Sequence, residues 1–298
     1  MSEKDGTATT RPDPTATLDE LCECLAATEG RPARTGFLLR EATEVGLDPA
    51  PTGSLSSTAF LLACDPGRMH RWGDVITTLR SSVGNDRIVA SVVAHGDELS
   101  WELYWYRLTD GSKGIETFLA AIDQGLGIDA AIHRAPLERC DVVSLDVTAQ
   151  NLDGIEAIDS INFYTGFGPL TRPGGLSYRL TADGIDHRNI YAHYPTATLS
   201  DVHNALRSSI HITKTDGELF LPDEFEGFHY AVKPQSEGVY FDGVPFSGSD
   251  RFLRRSAAFS ELHRFAAERT DRLAHLKLDI GIDYTLDRQV KQALFCTF

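Results

Sequence analysis

The sequence lacks the short motifs by which many enzyme classes are recognised. It contains no P-loop, HExxH, CxxC or GxSxG pattern. Gly166-Phe167-Gly168 begins like a dinucleotide-binding fingerprint, but Thr171 stands where the third glycine is required, and no helix is predicted to follow. Function therefore has to be inferred from how side chains are distributed over the predicted elements.

Cysteine and histidine are scattered and form no recognisable ligand set. The five cysteines include no CxxC pair, which is typical of buried or incidental thiols in a reducing compartment. None of the ten histidines has zinc-site spacing, since His187 and His193 lie too far apart on one strand and His203 and His211 lie two helical turns apart. We expect no metal ion held by protein ligands alone.

Positive charge and long apolar runs are also missing. The formal net charge is -15, which argues against a nucleic-acid partner because such binding needs a basic surface. No run approaches the roughly 20 apolar residues of a membrane-spanning helix, and the Thr- and Pro-rich N-terminal stretch lacks the apolar core of a signal peptide. We expect a cytoplasmic protein with no nucleic-acid and no membrane partner.

What the sequence does have is a series of short segments with alternating polar and apolar side chains. Leu278 and Ile280, for example, alternate with Asp279. Such alternation predicts strands with one buried apolar face and one polar face. Ten strands are predicted, at about 86–95, 99–108, 141–149, 159–165, 175–182, 185–194, 227–233, 238–244, 276–285 and 289–298. Helices are predicted near 17–25 and over 33–45, 69–83, 115–135, 199–210 and 249–273, and the apolar run 57–64 is a candidate extra strand.

Strand pairs joined by tight turns, such as Gly96-Asp97, predict antiparallel pairing rather than parallel βαβ units. Because the helices suffice to cover only one face of ten strands, we predict an α+β fold: an antiparallel ten-stranded barrel surrounded by helices. The alternative is an open sheet with one face in solvent, which accounts less well for the tyrosines. Residues 1–16 are predicted to be a disordered tail, and 17–298 a single barrel domain.

Cations, carboxylates and tyrosines share the predicted lumen face. Tyrosine rings stabilise a carbocation and exclude water, Arg and Lys bind diphosphate oxygens, and a carboxylate accepts a proton. This combination suits a substrate with an anionic leaving group and a cationic intermediate, although each residue taken singly is also consistent with a solvated strand position. The predicted lumen set is Arg87, Ser91, His95, Glu102, Tyr104, Tyr106, Ser144, Asp146, Thr148, Ser160, Asn162, Tyr164, Ser177, Arg179, Thr181, His187, Asn189, Tyr191, His193, His229, Lys233, Tyr240, Asp242, Lys277, Asp279, Asp283, Lys291 and Phe295.

Several segments of the barrel region carry a family resemblance in their order and spacing. They are DVVSLDVTAQNL at 141–152 with SINFY at 160–164, GIDHRNIYA at 184–192, GFHY at 227–230 with GVYF at 238–241, and the closing pair at 278–298. The chain thereby resembles the ABBA-type aromatic prenyltransferase barrels, built from repeated α-β-β-α units, and most of all the cyanobactin peptide prenyltransferases. The resemblance implies a soluble enzyme of RiPP biosynthesis that uses an allyl diphosphate, usually with Mg²⁺.

The chain departs from that family at two places. The glutamate of the first barrel strand, which serves as base in the family, corresponds to Val89 here, or to Glu102 if the role lies on the next strand. The strand at 159–165 carries Ser160, Asn162 and Tyr164 where the family has alternating basic residues. The usual diphosphate clamp is therefore incomplete.

The resemblance and the lumen set together predict a prenyltransferase acting on a peptide or amino-acid side chain, with dimethylallyl or a longer allyl diphosphate as donor and Mg²⁺ bound beside the diphosphate. Predicted diphosphate ligands are Arg87, Arg179, Lys233, Lys277 and Lys291; predicted shields of the allyl cation are Tyr104, Tyr164, Tyr191 and Tyr240; the predicted base is Glu102, followed by Asp146 and Asp279. The alternative is a catalytically silent barrel that binds a peptide or small molecule in a biosynthetic pathway.

The predicted lumen also holds more carboxylates than one base requires. Because unpaired carboxylates repel a diphosphate, we expect Asp242 and Asp283, with His193, on the acceptor side near the barrel mouth. There they would suit a guanidine, imidazole or indole N–H nucleophile. The alternative is that these carboxylates form structural ion pairs with Lys277, Arg179 or Lys291.

Overall fold

The computed structural model describes residues 62–83, 88–106, 114–129, 140–165, 174–194, 197–207, 209–212, 219–274, 276–286 and 288–297. The predictions for the tail at 1–16, the helices at 17–25 and 33–45, most of the apolar run at 57–64, and Arg87 fall outside these residues.

Ten antiparallel strands form a single closed sheet. They are β1 Ile88–His95, β2 Glu98–Tyr106, β3 Val142–Val147, β4 Ser160–Thr165, β5 Gly174–Thr181, β6 Gly184–Tyr194, β7 Gly227–Val232, β8 Glu237–Pro245, β9 Lys277–Tyr284 and β10 Gln289–Thr297. Each strand pairs with its chain neighbours, and β10 pairs with β1 to close the barrel. Ser91 thus faces Glu102 on one side and Phe295 on the other. The predicted ten-stranded barrel is confirmed.

Seven α-helices fall within the described residues. They are α1 Met69–Val83, α2 Gly114–Leu126, α3 Ala149–Leu152, α4 Leu199–Leu206, α5 Phe246–Leu253, α6 Ser260–Glu268 and α7 Thr270–Leu273. None of these helices has the length and apolar content to cross a membrane.

The main hydrophobic core lies outside the barrel wall, between strands and helices. Trp72 of α1 and Phe118 of α2 belong to the same buried cluster as Leu103 and Ile280 of the strands. Because burying one such side chain contributes about 1.5–3 kcal/mol, this outer core is the main source of the barrel's stability. The apolar faces of the strands therefore point outward onto the helices, as predicted.

Two predicted boundaries were wrong for local hydrogen-bonding reasons. β3 ends at Val147 because Thr148 caps α3, accepting from the Asn151 amide at 3.2 Å while Asn151 Oδ1 accepts from the Thr148 amide at 2.8 Å. The single helix expected over 249–273 is interrupted after α5. There Ser256 Oγ donates to the Gly96 carbonyl at 3.0 Å and accepts from the Ala258 amide at 3.2 Å, which competes with helix continuation.

The two ends of the barrel differ in their connections. Tight turns such as Gly96-Asp97, where Gly96 has a φ of 63°, lie at one end, called here the hairpin end. The segments that contain α2, α4 and α5 to α7 join strands at the opposite end, called the helix end.

Candidate functional site

A cavity of about 1280 Å³ occupies the barrel lumen. Inward-facing strand residues line it together with the turn residues Asp97 and Gln235, so the cavity opens at the hairpin end. It also extends beyond the lumen, to residues within 64–68, 148–150 and 257–261. Small-molecule sites commonly measure roughly 300–1,000 Å³. The lumen is therefore large enough to hold two small substrates at once.

Two buried ion pairs lie in the lumen toward the hairpin end. Lys291 Nζ is 2.5 Å from Glu102 Oε1, and Lys233 Nζ is 2.5 Å from Asp283 Oδ2. Each pair bridges one intervening strand, β1 in the first case and β8 in the second. We call these four residues, together with Asp146, the mouth layer.

Glu102 is held firmly in its ionised form. Ser91 Oγ donates to it at 3.1 Å and the Tyr104 hydroxyl at 2.5 Å. Burial alone would raise the pKa of Glu102, but the Lys291 ammonium, with the hydrogen bonds from Lys291 and Tyr104, lowers it to about 2. A carboxylate so strongly stabilised is a weak proton acceptor at neutral pH.

Lys233 is held in a similar way on the other side of the lumen. Its Nζ also donates to the Tyr240 hydroxyl at 2.8 Å, and that hydroxyl donates to Asp283 at 3.0 Å. Burial would lower the pKa of Lys233, yet the Asp283 carboxylate raises it above its usual value. Lys233 is therefore a fixed positive charge beside the cavity.

Asp146 differs from the other carboxylates of the mouth layer because no lysine neutralises it at close range. It lies opposite Glu102 on the neighbouring strand and is open to the cavity. Its hydrogen bonds within the described part of the chain are long contacts of 3.4 and 3.5 Å with Asn162 Nδ2. The surrounding protein and the Glu102 carboxylate raise the pKa of Asp146. Of the three predicted bases, it has the environment best suited to accepting a proton.

An aromatic belt runs around the lumen beside the mouth layer. Neighbouring ring centroids are 6.2 Å apart for Tyr240–Phe295, 5.9 Å for Phe295–Tyr104, 6.2 Å for Tyr104–Tyr164 and 6.1 Å for Tyr164–Tyr191. Burial, foremost, raises the pKa values of Tyr104, Tyr164 and Tyr240 well above the ordinary value. These three tyrosines therefore present neutral phenol rings to whatever occupies the lumen.

Glycine in the neighbouring strands makes room for one ring of the belt. A Cβ at Gly281 would meet Tyr240 Cδ1 at 2.5 Å, and one at Gly238 would meet Tyr240 Cε2 at 2.8 Å. Tyr240 can lie against β8 and β9 only because both positions lack a side chain.

A cluster of two histidines and one carboxylate lies toward the helix end. His193 of β6 and His229 of β7 stack with ring centroids 3.9 Å apart and an interplanar angle of 3°. Asp242 Oδ2 is 2.9 Å from His229 Nε2 and 3.9 Å from His193 Nε2. All three residues are buried, and His229 lines the cavity. We call them the floor cluster.

The structure brings most of the predicted site residues into the lumen. Those that line the cavity are Glu102, Asp146, Lys233, Lys291, Tyr104, Tyr164, Tyr191, Tyr240 and Asp283. The alternative prediction, that lumen carboxylates form structural ion pairs, is confirmed for one of them, because Glu102 pairs with Lys291. Asp283 pairs with Lys233, a partner that was not anticipated.

Other predicted residues lie elsewhere. Lys277 is exposed at the helix end and donates to Glu226. The Arg179 guanidinium donates to Ser160 Oγ at 2.6 Å and Asp279 Oδ1 accepts from the Gly243 amide at 2.7 Å, and neither side chain lines the cavity.

The predicted position of the floor residues was also wrong in one respect. Asp242 and His193 were expected near the mouth, but they belong to the floor cluster. Strand direction explains the difference, since β6 ends and β7 begins at the helix end.

One lumen cation was missed because of a β-bulge. The β5–β6 register shifts between Ser177 and Tyr178, so His187 pairs with Tyr178 and contacts its ring at 5.5 Å instead of facing inward. Arg188 lines the cavity in its place. Strict alternation could not reveal it, because a bulge reverses the parity of a strand.

Comparison with known proteins adds no finer classification. No protein-family model matches the chain, and no curated protein matches it significantly. The class that the fold and site define is a closed ten-stranded antiparallel barrel with a charged and aromatic lumen.

Proposed function

We propose that the protein is a prenyltransferase that moves an isoprenoid from an allyl diphosphate onto a peptide or amino-acid side chain. The aromatic belt carries this proposal. Its five rings surround a lumen that is closed along the wall, and they adjoin buried lysines at the mouth. Aromatic faces stabilise a carbocation, and the closed wall keeps water away from it.

The donor's diphosphate belongs at the mouth layer in this proposal. Lys233 and Lys291 hold fixed positive charges there, and Arg188 lines the same cavity. Among the described cations of the lining, which are Arg68, Arg188, Lys233 and Lys291, only Arg188 has no carboxylate within 4.0 Å. An incoming diphosphate would thus find, in the same cavity lining as the two paired lysines, one guanidinium with no carboxylate partner among the described residues.

Mg²⁺ fits the same end of the lumen. Seven carboxylates line the cavity against four cationic side chains, so a diphosphate without a cation would meet net repulsion. Asp97 and Glu98 at the hairpin end line the same cavity and would hold Mg²⁺, which prefers one or two carboxylates plus substrate phosphates. When bound, the ion supplies positive charge for the diphosphate oxygens.

The reaction would proceed by substitution at C1 of the donor. The C1–O bond breaks and its electron pair leaves with the diphosphate, while the positive charge that develops on the allyl carbons faces the aromatic belt. A nucleophile of the acceptor forms the new bond to C1, and its proton passes to a carboxylate. Asp146 suits that last role better than Glu102, because its pKa is raised whereas that of Glu102 is lowered.

A panel assay tests the proposal. The protein is incubated with Mg²⁺, dimethylallyl or geranyl diphosphate, and short peptides that each contain one Arg, His, Trp, Tyr or Ser, and products are detected by mass spectrometry. Prenylated Arg, His or Trp is the expected result. Product on Tyr or Ser alone would contradict acceptor selection by the carboxylates, and no product with any donor would overturn the prenyltransferase assignment.

A matched pair of variants tests the belt itself. Tyr164→Phe keeps the aromatic face and should retain most of kcat. Tyr164→Leu keeps an apolar side chain but loses the aromatic ring and its quadrupole, and should lower kcat about tenfold or more. Equal rates for the two variants would show that the ring does not act on the cation.

A second candidate is a binding barrel without catalysis. Both mouth-layer lysines are already neutralised, by Glu102 and Asp283 at 2.5 Å, so a diphosphate has to compete with internal carboxylates. Tight binding of a peptide or of an allyl diphosphate, with no turnover of any donor, is the outcome that this candidate predicts.

A further inference from the structure

We infer that the floor cluster binds a divalent transition-metal ion, at a site distinct from the mouth layer. His229 lies in β7 and Lys233 follows four residues later, one residue past the end of that strand, which corresponds to about 13 Å of extended chain. The inference does not depend on the proposed prenyl transfer, because it concerns the affinity of the barrel for the metal alone.

The first argument is the convergence of three donor atoms. One ligand atom from each of His193, His229 and Asp242 lies within 4.8 Å of the other two. Ligands bound at 2.0–2.1 Å with tetrahedral angles stand about 3.3 Å apart. The measured separations of 2.9 and 3.9 Å from Asp242 Oδ2 to the two Nε2 atoms bracket that value. Because the two rings lie parallel, with an interplanar angle of 3°, both imidazoles would have to tilt substantially out of the stack before their Nε2 lone pairs pointed at one ion.

The second argument is charge. Asp242 is 1% exposed, and the two imidazoles are the only basic side chains among the described residues that lie within 4.0 Å of its carboxylate. A buried carboxylate needs a compensating positive charge. The mouth layer shows how this barrel supplies one elsewhere, by a lysine at 2.5 Å.

The chemistry of the donors selects the kind of ion. Imidazole nitrogens suit Zn²⁺, Fe²⁺, Co²⁺ and Ni²⁺ rather than Mg²⁺ or Ca²⁺. Three protein ligands leave at least one coordination position open. Because His229 lines the cavity, that position would be reached from the lumen.

Titration with Co²⁺ tests the inference, since its visible bands report coordination. The full chain is first freed of metal with a chelator. We expect one equivalent of Co²⁺ to bind, with visible absorption bands that Zn²⁺ abolishes by displacement. His229→Gln and Asp242→Asn should each weaken the affinity at least about tenfold.

His187→Gln is the matched control, because His187 lies on β6, as His193 does, but does not line the cavity, and its loss should leave the titration unchanged. Circular dichroism verifies the fold of every variant, and His193→Gln replaces any variant that fails to fold. Absence of stoichiometric binding, or equal loss in the His187 variant, would overturn the site. Neither result would touch donor binding at the mouth layer.

Discussion

The mouth layer and the floor cluster both bury carboxylates in the same lumen but compensate them differently. At the mouth, Lys291 and Lys233 each stand 2.5 Å from a carboxylate oxygen. At the floor, the basic side chains of the described residues nearest to Asp242 are His229 and His193, at 2.9 and 3.9 Å. Lysine is charged throughout the physiological range whereas imidazole is not. The mouth is therefore a permanent ion-pair layer, whereas the described residues place no such fixed cation beside the floor carboxylate.

The largest effect on stability is expected for Lys291→Met, which removes the fixed cation from one mouth-layer pair. Removing one partner of a buried pair leaves Glu102 as an uncompensated charge, and we expect the free energy of unfolding to fall by about 3–5 kcal/mol. Asp242→Asn should cost less, because no lysine is left behind and an amide oxygen still accepts from His229. Urea denaturation of both variants measures the difference.

Two controls accompany that experiment. Lys277→Met removes an exposed pair with Glu226 and should cost at most about 1 kcal/mol. The double variant Lys291→Met with Glu102→Gln removes both charges and should recover much of the loss. An equal cost for Lys291→Met and Asp242→Asn would contradict the contrast between the two layers.

Acid should weaken the mouth layer as the pH falls below the ordinary pKa of a glutamate. The pKa of Glu102 is lowered from 4.5 to about 2 in the folded protein, so its contribution is present above the unfolded value and is lost as the pH falls from about 4.5 toward 2. The full contribution amounts to about 3 kcal/mol. Unfolding free energies at pH 6 and pH 3 should show a steeper fall for wild type than for Glu102→Gln. Parallel pH dependences would mean that Glu102 is not the group responsible.

Gly281→Ala tests the packing of the aromatic belt beside the mouth layer. Its Cβ would meet Tyr240 Cδ1 at 2.5 Å, so Tyr240 has to move, and we expect a loss of about 1–3 kcal/mol. Gly248→Ala in α5 is the counterpart, since its Cβ would make an ordinary 3.5 Å contact with Val244. That change should leave stability equal or slightly higher because alanine favours helix. The two variants are compared by thermal unfolding.

The smallest expected effect belongs to Asp146→Asn, and its sign is opposite to that of Lys291→Met. The folded-state pKa of Asp146 is raised above its usual 3.8, so stability declines as the pH rises from about 3.8 through the folded value. The neutral variant should therefore be more stable at pH 7, by less than about 1 kcal/mol because the carboxylate is open to the cavity. Prenyl transfer by that variant should be slower. A variant that is less stable than wild type at pH 7 would show that the folded protein does not disfavour the ionised form of Asp146.

The barrel itself could be predicted because its signals are local. Alternation in a strand such as Lys277–Tyr284 reveals a buried and a polar face without knowledge of any partner. The turn at Gly96-Asp97 likewise depends on two neighbouring residues. The same alternation predicted which side chains face the lumen, including its four tyrosines.

The pairing inside the lumen could not be predicted, because it depends on register. Glu102 and Lys291 are separated by 189 residues in the sequence, and only closure of β10 on β1 brings them together. The floor cluster likewise joins three strands, so the spacing of its histidines along the chain carried no signal. Arg188 was hidden by a bulge with no glycine to mark it.

The most direct test of donor binding in the lumen is a calorimetric titration with an unreactive allyl thiodiphosphate in the presence of Mg²⁺. We predict that wild type binds one equivalent, that Lys233→Ala binds more weakly by about 1.5–3 kcal/mol, and that Lys277→Ala, altered at the opposite end of the barrel, binds like wild type. Equal affinity of wild type and Lys233→Ala, or a loss confined to Lys277→Ala, would contradict a diphosphate site at the mouth of the lumen.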